Sequence, residues 1–231
     1  MKIKKISIKE IIDFLGDSIF NLYGNTKGVF IDNIADAESV NETTLDWINP
    51  SKTNKQEIAE KSKAKVILVD SSIDYSSEIQ TQKKILLVVD NPKFQLAKMG
   101  NHFFIEKITP IIHPTAIIDS QTKIGKDVYI GPYTIIGRSL IGDGCFIDSN
   151  VRIHDNVTLG TDCVVKSGAV LGGEGFGFEK DEYGNRFRFP QIGGLIIGNN
   201  VEIGSNTTID RGALSNTIIG DYTKINNLCH I

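Results

Sequence analysis

The chain has 231 residues, 40% of them hydrophobic and 23% charged, and a formal net charge of −3. That charge gives no electrostatic reason to expect a nucleic acid or an anionic membrane as a partner. No segment reaches the roughly 18 consecutive apolar residues of a membrane span, so no integral membrane segment is expected. The three cysteines form no CxxC pair, which indicates reduced thiols and a cytoplasmic location.

The first part of the chain alternates helical and strand patterns. Four apolar residues within 11–15 give one helix an apolar face. The runs KVILVD (65–70) and KILLVVD (84–90) are short, apolar and rich in β-branched residues, which is typical of buried strands. Charged helical patterns accompany them, as in NKQEIAEKSKA and NPKFQLAKMGNHFF. These lengths predict an α/β domain over residues 1–108.

From residue 109 the chain repeats every six residues. An α-helix cannot keep every sixth residue on one face, because six residues advance it by about 600°. A sustained period of six is the signature of a parallel β-helix, in which three hexads make one triangular coil and the leading aliphatic residue points inward. The sequence therefore predicts a β-helix over residues 109–231. Its leading aliphatic residues, with one five-residue step among them, are Ile112, Ile118, Ile124, Ile130, Ile136, Ile141, Ile147, Ile153, Leu159, Val165 and Leu171.

The three cysteines share one register of this repeat. Cys145, Cys163 and Cys229 each stand four residues after a leading aliphatic residue, at a second position that points inward. A small interior filler explains this shared register better than a nucleophile or a metal ligand does.

The repeat is interrupted over about residues 173–194. The stretch GGEGFGFEKDEYGNRFRFPQIGG has no six-residue period, and we expect it to leave the coils as an extruded loop. Loops of this length in compact domains are usually functional. The alternative is a clamp across a subunit boundary, packed through its four phenylalanines.

Three stretches of the sequence carry a resemblance that is more specific than the six-residue repeat alone. They are GGEGFGFEKDEYGN, PQIGGLIIGNNVEIGSNTTIDRGALSNTIIGDYTKINNLCHI and the earlier VVDNPKFQLAK. They resemble the UDP-3-O-acylglucosamine N-acyltransferases, hexapeptide-repeat enzymes of lipid A biosynthesis. The resemblance is close from about residue 110 and weaker before it. It implies an α/β N-terminal domain followed by a left-handed parallel β-helix, assembled as a homotrimer with sites in the clefts between subunits.

The resemblance also implies a reaction. The 2-amino group of UDP-3-O-acylglucosamine attacks the thioester of a 3-hydroxyacyl chain on acyl carrier protein, with a histidine as general base and a backbone N–H at the oxyanion. The phosphopantetheine belongs to the carrier protein, so the enzyme is expected to need no cofactor of its own and no metal. The α/β domain would help to hold uridine.

The family motif continues as I-A-H-N from the position of Ile231. Its catalytic histidine would then be the second residue after Ile231, so no catalytic residue is expected within the chain. An uncapped coil is also an unusual end for a solenoid. We therefore expect a truncated enzyme without its last coils and C-terminal helices, which does not catalyse the transfer by itself.

Three residues near the end match family positions that contact the substrate. Asn226 and Asn227 match a sugar-contacting pair whose first member is often Asp, so a carboxylate charge is lost here. Turn chemistry at a coil corner explains both asparagines equally well. His230 lies at a position that is commonly Gln or His. We expect it to face the substrate and not to act as the base, because three residues along a strand span about 10 Å and reverse the face.

The run TLDWINPSK resembles the family's uracil site, an aromatic residue followed by Asn-Pro and usually a tyrosine. Trp47 would stack on uracil, with Asn49 in the Asn-Pro step. The chain is one residue shorter before Asn-Pro and has no tyrosine where the second ring should stand. A single ring can still stack on a base for about 1–3 kcal/mol. The alternative is that the chain's only tryptophan packs in the core.

Four other polar residues are expected to have structural roles and not catalytic or metal-binding ones. His113 and His154 each follow a leading aliphatic residue and should point outward. They lie more than two coils apart, and no third histidine completes a zinc site with them. Asp210 and Arg211, in TTIDRGAL, are expected to form a turn or a trimer contact and not an acid–base pair.

Two other functions remain open at this point. A sugar-nucleotide acetyltransferase using acetyl-CoA would share the repeat, although the FGF loop and the uridine-type domain count against it. A non-catalytic, trimeric nucleotide-binding paralogue would fit a chain without the catalytic histidine.

Overall fold

The computed structural model describes residues 5–106 and 108–231. Residue contacts divide the chain into two compact units, Met1–Lys107 and Ile108–Ile231. Each unit has hydrophobic cores of its own. Within the described ranges, no helix has the length and apolar character needed to cross a membrane.

The first unit is an α/β structure around a four-stranded sheet. Its strands are β1 (Ile6–Ser7), β2 (Ile19–Tyr23), β3 (Phe30–Ile31), β4 (Leu45–Trp47), β5 (Val66–Val69) and β6 (Ile85–Val89). Its helices are α1 (Ile8–Leu15), α2 (Lys55–Lys61), α3 (Ser77–Thr81) and α4 (Pro92–Met99), with a 3₁₀ turn at Gly16–Ser18 and a π turn at Gly100–Phe104. The sheet order is β2-β6-β5-β4, with β2 antiparallel at one edge and the other three strands parallel; β1 and β3 form a separate antiparallel pair.

The two predicted buried strands are the central strands β5 and β6, and every residue of both is buried. Successive side chains point to opposite faces, so Val66 and Leu68 join one core while Ile67 and Val69 join the other. Helices α1 and α4 contribute to the first core, and α2 and α3 to the second. Parallel strands covered on both faces read as continuous apolar runs, which is why the sequence prediction is correct here.

The second unit is a parallel β-helix with three sides. Side 1 contains β7 (Ile117–Ile118), β10 (Ile135–Ile136), β13 (Arg152–Ile153), β16 (Val170–Gly173) and β21 (Thr208–Asp210). Side 2 contains β8 (Lys123–Ile124), β11 (Leu140–Ile141), β14 (Val157–Leu159), β19 (Leu195–Ile197) and β22 (Thr217–Ile219). Side 3 contains β9 (Tyr129–Ile130), β12 (Phe146–Ile147), β15 (Val164–Val165), β20 (Glu202–Ile203) and β23 (Lys224–Ile225). The predicted fold class, an α/β unit followed by a left-handed β-helix of hexapeptide repeats, is confirmed.

The leading aliphatic residues stack in columns inside the coils. On side 3, Ile147 pairs with Ile130 below it and Val165 above it, and all three are buried. Ile124 is partly buried against the same core, whereas Ile112 is 47% exposed. The prediction of an inward, buried side chain is therefore wrong for Ile112. It lies at the start of its column, with Ile130 on one side and no described strand of this unit on the other.

Side chains of Asp and Asn connect the coil corners. Five of them accept a backbone N–H from the coil before, at 2.7–3.0 Å, so that each coil caps the corner of its neighbour. Other corner residues adopt the left-handed backbone conformation, which Asn and Asp tolerate better than most residues. The acceptor side chains are Asp143, Asp155, Asn199, Asp221 and Asn227.

Every departure from the six-residue step falls at one corner, between side 1 and side 2, which we call the 1–2 corner. The step from Ile136 to Ile141 is one residue short, and the step from β21 to β22 is lengthened by the segment 211–216. The largest insertion, between β16 and β19, contains an antiparallel hairpin of β17 (Phe178–Lys180) and β18 (Arg186–Arg188). Its strand residues are exposed. The segment predicted to leave the coils thus has its root at this corner.

Candidate active site

Asp210 and His230 form a carboxylate–imidazole pair on side 1. Asp210 ends strand β21, and His230 lies one coil further on, where its backbone pairs with Thr208. The Oδ2 atom of Asp210 is 3.1 Å from Nε2 of His230. The Asp210 side chain is 23% exposed and the His230 side chain 68% exposed, so the carboxylate is sheltered while the ring borders solvent. The prediction that Asp210 forms only a turn or a subunit contact misses this pair.

The root of the hairpin packs directly against this carboxylate. A Cβ atom at Gly173 would lie 3.1 Å from Oδ1 of Asp210, which is tighter than an ordinary contact. A Cβ atom at Gly175 would lie 3.1 Å from Oε1 of Gln191, on the returning side of the hairpin. The glycines of the GGEG stretch therefore let the hairpin leave the coil immediately beside Asp210.

Arg211 does not pair with its neighbour Asp210. Its guanidinium donates to two carbonyl oxygens, from Nε to Gly172 at 2.9 Å and from Nη2 to Asp155 at 3.1 Å. Its backbone N–H donates to the carbonyl of Gly173 at 2.8 Å. The Arg211 side chain thus fastens the hairpin root to the preceding coil, which is a structural role other than the predicted turn or trimer contact.

His154 is a half-buried neighbour of this region. Burial lowers the pKa of His154, and the charges of Arg152 and Arg211 lower it further, while Asp155 and Glu174 partly oppose them. These effects favour the neutral form of the ring. His113 lies on another part of the unit, where its Nδ1 is 2.9 Å from the Thr115 hydroxyl. In residues 5–106 and 108–231, no three His, Cys, Asp or Glu side chains come together as a metal site.

Asn226 and Asn227 are exposed, and both side-chain oxygens accept hydrogen bonds within the corner. Oδ1 of Asn227 accepts the backbone N–H of Ser205 at 2.7 Å, and Oδ1 of Asn226 accepts the N–H of Asn227 at 2.8 Å. The carbonyl of Asn226 accepts the Thr207 hydroxyl. The corner explanation of these residues is thus present in the structure, and the Nδ2 groups are the parts of the two side chains that face outward from these bonds.

Trp47 and Asn49 lie in the first unit, at the end of β4 and in the following turn. Trp47 packs partly against the core and also lines a cavity of about 320 Å³ with Val40, Ile58 and Ser62. It is the only aromatic ring among the described residues that line this cavity. Oδ1 of Asn49 accepts the backbone N–H and the hydroxyl of Ser51, and Asn49 is not among the lining residues. The structure therefore brings Trp47 to a cavity but does not bring Asn49 with it.

The inward cysteines fill space between coils. Cys145 and Cys163 are buried, and each thiol donates to a carbonyl of the following coil at 3.0 Å, those of Gly160 and Gly198 respectively. The hydrogen bond with Cys163 and burial raise the pKa of the Cys145 thiol. The interpretation as interior fillers is confirmed for these two, and Cys229 is half-buried.

The chain resembles known acyltransferases over most of its length. Residues 138–173 match the family model described as bacterial transferase hexapeptide (six repeats). The UDP-3-O-acylglucosamine N-acyltransferase 1 of Francisella tularensis subsp. holarctica (strain OSU18) is 34% identical over 247 aligned positions, covering 97% of this chain and 70% of that protein. The chain belongs to the UDP-3-O-acylglucosamine N-acyltransferase family.

The chain spans a smaller share of other members of the family. The member from Coxiella burnetii (strain RSA 493 / Nine Mile phase I) is 36% identical over 189 residues, which are 73% of this chain and 54% of that protein. The chain thus spans about half the length of this relative. Among solved structures, LpxA from Acinetobacter baumannii is 30% identical and superimposes with a TM-score of 0.45, covering 52% of this chain and 45% of that chain.

A second cavity, in the β-helix unit, lies along the 1–2 corner. It has a volume of about 430 Å³, and its lining combines polar side chains with backbone at Gly193 and Gly194. Sequence reasoning missed this cavity, because the returning end of the hairpin forms one wall of it. The polar side chains that line it are Gln121, Arg138, Ser139, Asn156, Thr158 and Asn216.

Proposed function

We propose that the protein transfers a 3-hydroxyacyl chain from acyl carrier protein to the 2-amino group of UDP-3-O-acylglucosamine, a step of lipid A biosynthesis. Family membership is the observation that carries this proposal, because a relative named for this activity is 34% identical over 97% of the chain. The Asp210–His230 pair supports it, since it puts a sheltered carboxylate and an open imidazole at the root of the longest insertion.

In the proposed reaction, the amine nitrogen forms a bond to the thioester carbonyl carbon, and the carbon–sulfur bond then breaks. The amine gives up a proton to a general base, and the phosphopantetheine thiol of the carrier takes a proton as it leaves. A backbone N–H stabilises the oxyanion of the intermediate. We assign sugar contacts to Asn226, Asn227 and His230.

We assign uridine to the first unit. Trp47 would stack on uracil at the mouth of the 320 Å³ cavity. The partial exposure of Trp47 supports this assignment, since a fully buried ring could not stack on a ligand. Asn49 lies outside the lining of this cavity with its Oδ1 engaged by Ser51, so its assigned role is to hold the turn that follows Trp47.

The proposed partners are acyl carrier protein and two further copies of the chain. Three apolar side chains of one outward column on side 2, Leu140, Ile196 and Ile218, are 46%, 37% and 69% exposed, with Thr158 between the first two. A homotrimer would cover these apolar side chains. The carrier's phosphopantetheine supplies the donor thioester, so the protein needs no cofactor of its own. We place the protein in the cytoplasm, where reduced cysteines are the norm.

The proposal is tested on the protein as its gene encodes it. The purified protein is incubated with UDP-3-O-acylglucosamine and 3-hydroxyacyl carrier protein, and mass spectrometry follows the doubly acylated sugar nucleotide. Acetyl-CoA replaces the carrier in a parallel reaction, and light scattering gives the oligomeric state. We expect an N-acylated product with the carrier-bound donor alone. A product formed only from acetyl-CoA would replace the proposal by the acetyltransferase alternative.

A further inference from the structure

We infer that Asp210 is a positioning residue that fixes the tautomer of His230, and that the freed Nδ1 atom of His230 accepts a hydrogen bond from a substrate hydroxyl. The substrate part of this inference rests on the proposed function. The positioning part rests on the geometry alone, and the two parts are tested separately below.

The tautomer follows from which nitrogen contacts the carboxylate. An ionised carboxylate can only accept hydrogen bonds, so Nε2 of His230, 3.1 Å from Oδ2 of Asp210, must carry the proton. In a neutral imidazole the other nitrogen then has a free lone pair. In this form of the ring, Nδ1 of His230 is an acceptor, on a side chain that is 68% exposed.

The carboxylate is itself held in place. The backbone N–H of Asp210 donates to the carbonyl of Ile231 at 2.8 Å, which ties β21 to the coil that carries His230. Gly173 leaves room for Oδ1 of the carboxylate, since a Cβ atom at this position would lie 3.1 Å from it. Arg211, the nearest cation in sequence, is engaged with carbonyl oxygens and does not compete with His230 for Asp210. The ring is thus anchored at one nitrogen and open at the other.

An acceptor held in this way distinguishes ligands that can donate. A hydroxyl group satisfies Nδ1, whereas a methylene group in the same place would leave it without a partner after water is expelled. Sites built to hydrogen-bond a hydroxyl reject the analogue that lacks it. The proposed substrates carry hydroxyls in two places, on the sugar ring and at the 3-position of the transferred acyl chain, and the experiment separates these sources.

The positioning role is tested by NMR on the gene product with ¹⁵N-labelled histidine. We expect His230 to show a single neutral tautomer protonated at Nε2, with a slowly exchanging Nε2 proton, and Asp210→Ala to lose that slow exchange. A ring protonated at Nδ1, or a proton that exchanges equally in Asp210→Ala, would overturn the positioning role. This measurement needs no turnover, so it stands whether or not the proposed reaction is found.

The hydroxyl is tested by kinetics with His230→Leu, which removes the acceptor, and His230→Gln, which restores one through Oε1. We expect His230→Leu and Asp210→Ala each to reduce kcat/KM by about tenfold, the double variant to lose no more than either, and His230→Gln to keep most activity. The loss of kcat/KM in His230→Leu should vanish with one of two substrate analogues, a carrier-bound acyl chain without the 3-hydroxyl or a deoxy sugar. The analogue with which the loss vanishes identifies the hydroxyl that donates to Nδ1.

Equal losses in His230→Leu with every analogue would exclude a hydroxyl as the ligand of Nδ1. Absence of transfer by the unmodified protein would refute the proposed function and the hydroxyl assignment with it, while the NMR result would still decide the role of Asp210.

Discussion

Asn227 joins two coils through its side chain, since its Oδ1 atom accepts the backbone N–H of Ser205 at 2.7 Å. The same bond recurs at four other corners, from Asp143 to Asp221. In the protein as encoded, Asn227→Ala should therefore lower the free energy of unfolding by about 1 kcal/mol, because a backbone donor loses its partner. Asn227→Asp keeps an acceptor oxygen, so its free energy of unfolding should stay close to that of the unmodified protein. Chemical denaturation measures both, and equal stability of all three proteins would contradict the structural role.

Gly173 sets the distance between the hairpin root and Asp210. An alanine there would bring its Cβ to 3.1 Å from Oδ1 and push the carboxylate away from His230. We expect Gly173→Ala to reduce transfer by about two- to tenfold, as the loss of one hydrogen bond does. Gly177→Ala is the matched control on the same hairpin, since its added Cβ would meet Phe189 at 3.3 Å and Gln191 at 3.4 Å and not Asp210. Transfer rates that fall equally in the two variants would rule out this explanation.

His154 should make stability depend on pH. Because burial and two arginine charges lower its pKa, the folded protein binds this proton more weakly than the unfolded chain. The stabilisation that comes from this pKa difference is fully present above the ordinary histidine pKa of about 6.5. It is lost as the pH falls from there through the lowered pKa of the folded protein. Urea unfolding at about pH 7.5 and pH 5.5 should show a smaller loss for His154→Gln than for the unmodified protein. His113→Gln serves as the control histidine variant. A loss of unfolding free energy between the two pH values that is as large in His154→Gln as in the unmodified protein would contradict the role of His154.

Ile147 lies in the centre of the side 3 column and is fully buried. Ile147→Ala should cost about 2–5 kcal/mol, because it removes buried methyl groups and leaves a cavity between coils. Ile147→Asp should not fold, since it buries an unpaired charge. Ile117→Ala, at a 64% exposed outward position, should change stability by less than about 0.5 kcal/mol. Thermal unfolding of the two alanine variants with the same midpoint would contradict the inward assignment.

Trp47 reports on its own cavity, because the chain has no other tryptophan. Titration with uridine diphosphate should quench its fluorescence, and Trp47→Leu should weaken binding by about 1–3 kcal/mol in calorimetry, the range found for a stacked base. Asn49→Ala should weaken binding less, since the Asn49 oxygen is already engaged with Ser51. Binding without quenching would place the nucleotide elsewhere.

The sequence period was enough to predict the coils, because a strict spacing of six fixes which side chains face inward. It failed for Ile112, whose spacing is regular but whose column has a described neighbour on one side only. The α/β strands were predictable for a simpler reason: β5 and β6 are buried on both faces and consist of apolar residues alone.

The Asp210–His230 contact could not be predicted from the same spacing. Regular strands pair 18 residues apart, as Arg152 does with Val170, but Thr208 pairs with His230, 22 residues on. The segment 211–216 adds the difference and hides the register. The signal that could have found it was an alignment of two leading aliphatic residues, Ile209 and Ile231, on either side of that segment.

The 1–2 corner also shows how the stack of coils accommodates steps of different length. The other two corners keep six residues in every coil. At the 1–2 corner one step is one residue short, one has four extra residues and one carries a hairpin, yet the strands on either side keep their partners. The stack therefore takes up extra chain along a single edge, and the Asp210–His230 pair lies at that edge.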